Sequence, residues 1–205
     1  TSPPTACFVN AKLFSNGNVQ MTGLKTIEQG KRALDVIAFL AASVSPRDRD
    51  NDQDTWRPTD FRVCLINSDY KIGWDVQRNR LFRVLSRDLG VLCSFEPCIY
   101  PGVKLQYAWN NGIPEAKNRK GTREEGVCMC SEPCNGKNRG DGNGKCRRIT
   151  IAVFKSGCII VTGAHTYEQL DDAYAFVRRV LEQNRPYIEN IPYDRKIERD
   201  ITTFS

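Results

Sequence analysis

Cys128, Cys130, Cys134 and Cys146 crowd one stretch of the chain with the spacing C-x-C-x3-C-x11-C, inside a segment, 111–147, rich in Gly, Asn, Lys and Arg. Thiolates are soft ligands that suit zinc, and four of them closing a tetrahedron can order a loop with no apolar core of its own. The spacing is not the usual pair of C-x2-C knuckles, so a disordered, reduced loop is the plainer reading and zinc the alternative. Long loops of this kind are either functional or disordered. Other chemistry is sparse. The lone histidine, His165, sits at a helix start, where a capping neighbour is expected rather than a general base. No paired carboxylates or nucleophile arrangement accompanies it, so the chain is not expected to be an enzyme, and no cofactor is expected, zinc at those cysteines being the alternative reading.

A second kind of chemistry, surface recognition, is written in the strands at 149–154 and 158–162. Ile149, Ile151, Val153, Ile159 and Val161 fall on one side of this hairpin, and Thr150, Ala152, Phe154, Ile160 and Thr162 on the other. Lys155-Ser156-Gly157 makes the turn. Thr166-x-x-Gln169 then has the spacing of a capping box, and Leu170, Ala173, Tyr174, Val177, Val180 and Leu181 give the following helix an apolar stripe, with Asp171, Asp172, Arg178, Arg179 and Glu182 outward. That helix covers one face of the hairpin. The other face is also mostly apolar, and the chain has too few helices to cover both.

The same pattern occurs at the front of the chain. At an offset of 140, Phe14 aligns with Phe154, Gly17 with Gly157, Thr22-Gly23 with Thr162-Gly163, Thr26 with Thr166 and Glu28-Gln29 with Glu168-Gln169. In this first copy, residues 7–44, Cys7, Val9, Ala11 and Leu13 are expected to face the helix, while Phe8, Asn10, Lys12, Phe14, Gln20 and Thr22 face away. A charged stretch at 45–59 reads as a linker. Beyond it, 61–74 reads as a long strand, and Asp75 as the cap of a helix to about Leu89 with Arg78, Arg80, Arg83 and Arg87 on its solvated side. Residues 91–102 read as a proline-punctuated loop, and 103–109 as a strand.

At 205 residues the chain fits two small, related halves around one sheet. Its net charge of +6 is uneven: from 112 to 148 nine basic residues face five acidic ones. Such a balance fits a polyanionic partner without requiring one. Nine cysteines, an odd number, point to reduced thiols rather than a disulfide framework. The start carries no basic leader and the longest apolar run, 36–44, is too short to span a bilayer, so a soluble intracellular protein without membrane partners is expected.

The motif FKSGCIIVTGAHTYEQ resembles the F-x-S-G-K-[IM]-V-x-T-G-A-K motif of the TATA-box-binding protein family, and FEPCIYPGVKLQY resembles that family's Y-E-P-E-L-F-P-G-L-I-Y-R segment, in the right place upstream. The resemblance covers 7–44, 60–109 and 148–184. With its basic loop and cysteines, the chain looks most like a homologue from a large DNA virus or a divergent eukaryote. The resemblance implies an α+β saddle: two pseudo-symmetric repeats of curved antiparallel sheet, helices on the convex side, and the concave side left for the DNA minor groove. It implies a first repeat at 1–44, a second at 60–184 carrying the insert at 111–147, and a tail at 185–205. It further implies a nuclear protein, or one of a viral replication compartment, that binds and bends A·T-rich promoter DNA.

By motif, the groove residues would be Phe14, Tyr100 and Phe154 as wedges, Thr22 and Thr162 on minor-groove acceptors, and Ala152 and Ile160 as apolar contacts. Lys12 and Gln20 stand where the family has apolar groove residues. Leu65 occupies the place of the family's central asparagine, and Asn67, two residues on, is the candidate substitute. Glu96 and Ile99 correspond to the contact with transcription factor IIB, and the RNA polymerase machinery is the wider partner. The first repeat lacks the family's initial strand, short helix and first wedge, and a longer first repeat upstream is expected, since two central strands with bare edges invite aggregation. The alternative is a saddle retained as a protein-interaction module with weak or no DNA specificity.

Overall fold

A computed structural model of the chain describes residues 8–44 and 57–191, apart from the side chains of 116 and 117. Cys7, most of the linker at 45–59 and most of the tail at 185–205 lie outside the described residues. The chain forms two compact units, Thr1–Val63 and Cys64–Ser205. The first holds β1 (Asn10–Leu13), β2 (Val19–Thr22) and α1 (Ile27–Val44). The second holds β3 (Ile66–Lys71), α2 (Arg78–Arg83) continued by a π-helical turn at Val84–Asp88, β4 (Cys93–Ser94), β5 (Val103–Trp109), α3 (Pro114–Asn118), β6 (Arg147–Val153), β7 (Cys158–Ala164) and α4 (Tyr167–Ile188). The fold class is α+β, with antiparallel pairing throughout and a five-stranded sheet in the order β3-β7-β6-β5-β4.

The repeat holds down to individual hydrogen bonds. Asn10 pairs with Thr22 and Lys12 with Gln20 in the first unit, as Thr150 pairs with Thr162 and Ala152 with Ile160 in the second. Each turn closes alike: the Phe14 amide donates to Asn18 O, and the Phe154 amide to Cys158 O, both at 2.9 Å. Each helix opens alike too. The Gln29 amide donates to Thr26 Oγ1 at 3.2 Å while Gln29 Oε1 accepts from the Lys25 amide, and Gln169 repeats this with Thr166 at 3.3 Å and the His165 amide at 2.8 Å. In both copies the glutamine reaches one residue before the cap, a variant of the capping box.

Gly17 and Gly157 hold the two turns at φ +80° and +71°, the left-handed region that costs a side chain about 1–2 kcal/mol. Only Gly157 is also crowded, because a Cβ there would lie 2.3 Å from Trp74 O, whereas Gly17 has open space. Gly157→Ala should therefore destabilise the second unit by more than the ~1 kcal/mol expected of Gly17→Ala for the backbone alone. Equal urea midpoints for the two variants would contradict this.

The helix side of the five-stranded sheet is a packed core. Ile149, Ile151, Val153, Ile159 and Val161 are buried as their alternation requires, against Ala173, Phe176, Val177, Val180 and Leu181 of α4. Phe176, left out of the predicted stripe, lies in it and meets Tyr107 with ring centroids 5.1 Å apart. Tyr174, predicted inward, sits at the margin with its ring 4.5 Å from Tyr70. Arg78 and Arg80 are not merely solvated: the first donates to Pro101 O and the second to Tyr187 O at 2.8 Å.

Other predicted features differ as well, and the predicted loop at 91–102 contains the short strand β4. The strand expected from residue 61 begins at Ile66, because Phe61 packs instead on α1, where a Cβ on Gly30 would strike its ring at 2.6 Å. Asp75 does not cap the next helix. Its backbone and that of its neighbours bond to the end of α4, Gln77 N to Ile188 O and Asn190 N to Asp75 O, which leaves Gln77 as the cap residue. In the first unit the predicted inward residues are not all covered: Leu13 is 53% exposed, and α1 buries only Gly30. A two-stranded hairpin offers too little surface to bury an eighteen-residue helix.

Candidate nucleic-acid interface

The sheet of the second unit has a second face, on which neither α2 nor α4 packs, since both contribute to the core on the other side. Pairing places Ser94, Lys104, Ala152, Ile160 and Asp69 in one row across this face. A second row runs Gln106, Thr150, Thr162. Ile160, Thr150 and Thr162 are half-buried among their neighbours, and Ala152 is buried, as its size allows. Asn67 lies exposed on the same side of β3 as Asp69 and Lys71.

At one end of the face stand two rings. Tyr100 closes the turn at 96–100, in which the Ile99 and Tyr100 amides both donate to Glu96 O, and Phe154 is the first residue after β6. Their centroids are 5.7 Å apart, and Lys104 Nζ lies 4.7 Å above the Tyr100 ring. A Cβ on Gly102 would meet both rings, at 3.0 and 3.2 Å, so a glycine there lets the pair close over the backbone. Arg78 anchors the same loop through Pro101 O and stacks on Phe95 at 5.2 Å. Glu96 and Ile99 stay at the exposed tip, Ile99 with 80% of its surface free.

The structure thus brings Tyr100, Ala152, Phe154, Ile160, Thr162 and Asn67 onto one face. It does not bring Leu65 there as a strand residue: Leu65 lies before β3, 52% exposed. In the first unit, Lys12, Gln20 and Thr22 are exposed on their hairpin and Phe14 opens its turn, the counterparts of Ala152, Ile160, Thr162 and Phe154. Lys104, Gln106 and Asp69 belong to the second unit's face and were not among the predicted site residues. The two-residue alternation of 103–109, VKLQYAW, was the available signal for the first two.

Residues 111–147 are an ordered insert rather than a disordered loop. The Trp109 indole donates to Asp172 at 2.8 Å and Lys120 to the same carboxylate at 2.7 Å; Gln169 Nε2 donates to Arg139 O at 3.0 Å; and Arg179 pairs with Glu125, which is 5% exposed. Asp172 and Arg179, expected to look out to solvent, are therefore anchors for the insert. Its segment 134–136 lies against Arg148 at the end of the open face, with the Arg148 amide on Gly136 O at 2.8 Å. The insert also gathers Cys128, Cys130, Cys134 and Cys146, whose sulfurs all lie within 4.8 Å of one another. His165 is half-buried near Arg147 and Arg139, and its imidazole is pushed down from the ordinary value by burial first and by those cations second, which fits a helix-start neighbour. Among the described residues no helix is long and apolar enough to cross a membrane.

No protein-family model matches the chain. It is 26% identical over 204 residues to a protein of Acanthamoeba polyphaga mimivirus described as TATA-box-binding protein-like, a match covering 96% of this chain and 49% of the relative, so the chain spans about half the length of the curated relative it matches. Among solved structures it is similar to the Methanococcus jannaschii TBP at 16% identity and a TM-score of 0.45, covering 87% of this chain and 75% of that one. Similarity to a viral TATA-box-binding protein-like protein therefore extends along nearly the whole sequence, well beyond the two motifs.

Proposed function

We propose that this chain is a non-catalytic transcription initiation factor that binds A·T-rich, TATA-like promoter DNA in the minor groove and bends it. A TBP-like, transcription-related role has the support of the viral relative. The groove reading is carried by one observation: a sheet face of the second unit on which neither α2 nor α4 packs, with threonines and small apolar side chains along its middle and the Tyr100–Phe154 pair at its end. Threonine hydroxyls can reach the acceptors that A·T and T·A pairs present alike, apolar side chains match sugars and base edges, and aromatic rings can open a base step. Phe14, Lys12, Gln20 and Thr22 would act as counterparts in the first repeat, Lys12 and Gln20 trading apolar fit for polar contact. Asn67 would reach the groove from β3. Glu96 and Ile99, free at the loop tip, would meet a factor IIB-like protein and through it the RNA polymerase machinery; a nucleus or a viral replication compartment is the setting this implies.

A competing reading has its own observation. Asp69 sits beside Ile160 in the central row, and a carboxylate facing a nucleic acid works against phosphate attraction. On that reading the fold serves as a protein-interaction module. A gel-shift series on A·T-rich and G·C-rich duplexes across a salt titration separates the two. The groove reading expects tighter binding to A·T-rich duplex with retarded, bent complexes at moderate salt. Equal affinity for both duplexes without a bend, or binding of a factor IIB-like protein with no DNA affinity, overturns it.

A further inference from the structure

We propose that Cys128, Cys130, Cys134 and Cys146 form a closed, structural zinc site that fixes the insert, independently of what the open sheet face binds. The distances between sulfurs carry the proposal. Tetrahedral zinc with Zn–S bonds of about 2.3 Å sets its ligand sulfurs about 3.8 Å apart. Here Cys146 Sγ lies 3.6 Å from Cys128 Sγ and 3.3 Å from Cys130 Sγ, and all four sulfurs fall within 4.8 Å of one another. One sulfur is thus near several others, as ligands of a common centre are.

The surroundings suit a bound tetrathiolate. Buried Asn110, the residue directly after β5, points Nδ2 at Cys146 Sγ at 3.4 Å and at Cys130 Sγ at 3.9 Å, while its Oδ1 accepts from the Gly112 amide at 3.1 Å. Such N–H···S contacts orient ligands and favour the thiolate form, and this one ties the cluster to the sheet. Four thiolates around a dication leave a net negative centre, and each thiol releases its proton as the metal binds. Lys137, Arg139, Lys145, Arg147 and Arg148, against Glu132 and Asp141, provide the compensating charge in the same stretch, Arg148 donating to Cys134 O at 3.1 Å. A ligand set that, among the described residues, is four soft sulfurs with no histidine or carboxylate selects zinc in a structural rather than a catalytic role.

There is also a reason for the insert to need it. Between β5 and β6 the only regular element among the described residues is the five-residue α3. With little core of its own, a segment of this length gains its order from cross-links, and a metal clip that ties residue 128 to residue 146 removes chain entropy from the unfolded state.

The full chain, expressed in zinc-supplemented medium and purified under reducing conditions, should carry one zinc per chain by plasma mass spectrometry, released on titration with an organomercurial. After metal removal, cobalt(II) should restore the thiolate-to-metal charge-transfer bands and the intense d–d bands of a tetrahedral sulfur site. The double variant Cys128→Ser, Cys134→Ser should lose the metal and be cut by trypsin first within 111–147. Wild-type protein that takes up neither zinc nor cobalt, a metal retained by the double variant, or a non-reduced mass showing disulfides among these four cysteines in place of metal would each overturn the site. The wild-type measurements need no variant to fold.

Discussion

Replacing Tyr100 and Phe154 together by alanine is expected to abolish bending of A·T-rich duplex DNA and to weaken binding at least thirty-fold. The expectation follows from the proposed groove role. Rings that stack on bases contribute about 1–3 kcal/mol each, so losing two costs roughly 2 kcal/mol or more, about thirty-fold in affinity at the lower bound. The bend depends more steeply, because unstacking a base step needs a wedge, and with no wedge a straight duplex is the favoured state. Both side chains are half-exposed beyond the core, so the fold should survive; unchanged thermal unfolding is the control. Tyr100→Phe alone should keep the bend, since the ring and its neighbour at 5.7 Å remain. Fluorescence energy transfer between dyes at the duplex ends reads the angle. A double variant that bends DNA as the parent does would remove the wedge role from these residues.

The second large effect is on stability. Arg179→Met should cost about 2–3 kcal/mol, somewhat less than the ~3–5 kcal/mol of a fully buried broken pair, because the Arg179 side chain is 29% exposed and water screens part of the interaction. What remains after the change is the Glu125 carboxylate, buried between the Tyr107 hydroxyl at 3.4 Å and the Gly121 amide at 2.5 Å, with its cation gone. The same carboxylate, together with burial, pushes the Tyr107 hydroxyl up, burial being the larger cause. Glu125→Gln in the Arg179→Met background should recover much of the loss, since the amide still accepts a hydrogen bond and carries no charge. Urea unfolding of the two variants and the parent forms the comparison. An Arg179→Met midpoint equal to that of the parent would show that the pair anchors nothing.

Both experiments probe features that differ in how far they could be read in advance. Residues with a local signature were legible. Gly157 with its turn, Thr166 with Gln169, and the alternation of Ile149, Ile151 and Val153 each follow from interactions a few residues long, and so each reappears at an offset of 140 with the same register. The site motif was legible for the same reason: Phe154, Ala152, Ile160 and Thr162 share one hairpin, so a period of two fixes their common side.

Residues whose role depends on a distant partner were not legible. Asp172 and Arg179 looked like solvent-facing positions of an amphipathic helix, and only the path of the insert turns them into anchors for Lys120 and Glu125. Phe61 continued a strand pattern, yet packs on Gly30 of α1. Asp75 had the chemistry of a cap, but backbone bonds to the end of α4 claim its neighbourhood. Lys104 and Asp69 reach the open face only because β5 and β3 flank the hairpin at the register seen, and register between strands far apart in sequence is set by packing. The four cysteines divide the same way. Their number and spacing are sequence facts, while their convergence within 4.8 Å depends on how 111–147 folds back over β5, β6 and α4. What the sequence by itself determined is the repeat, the turns, the caps and the sidedness of each strand, since these are settled by neighbours along the chain. Which side chains meet across the insert, and which charges enter the open face, was decided by tertiary structure, because burial and pairing between distant segments outweigh local preference.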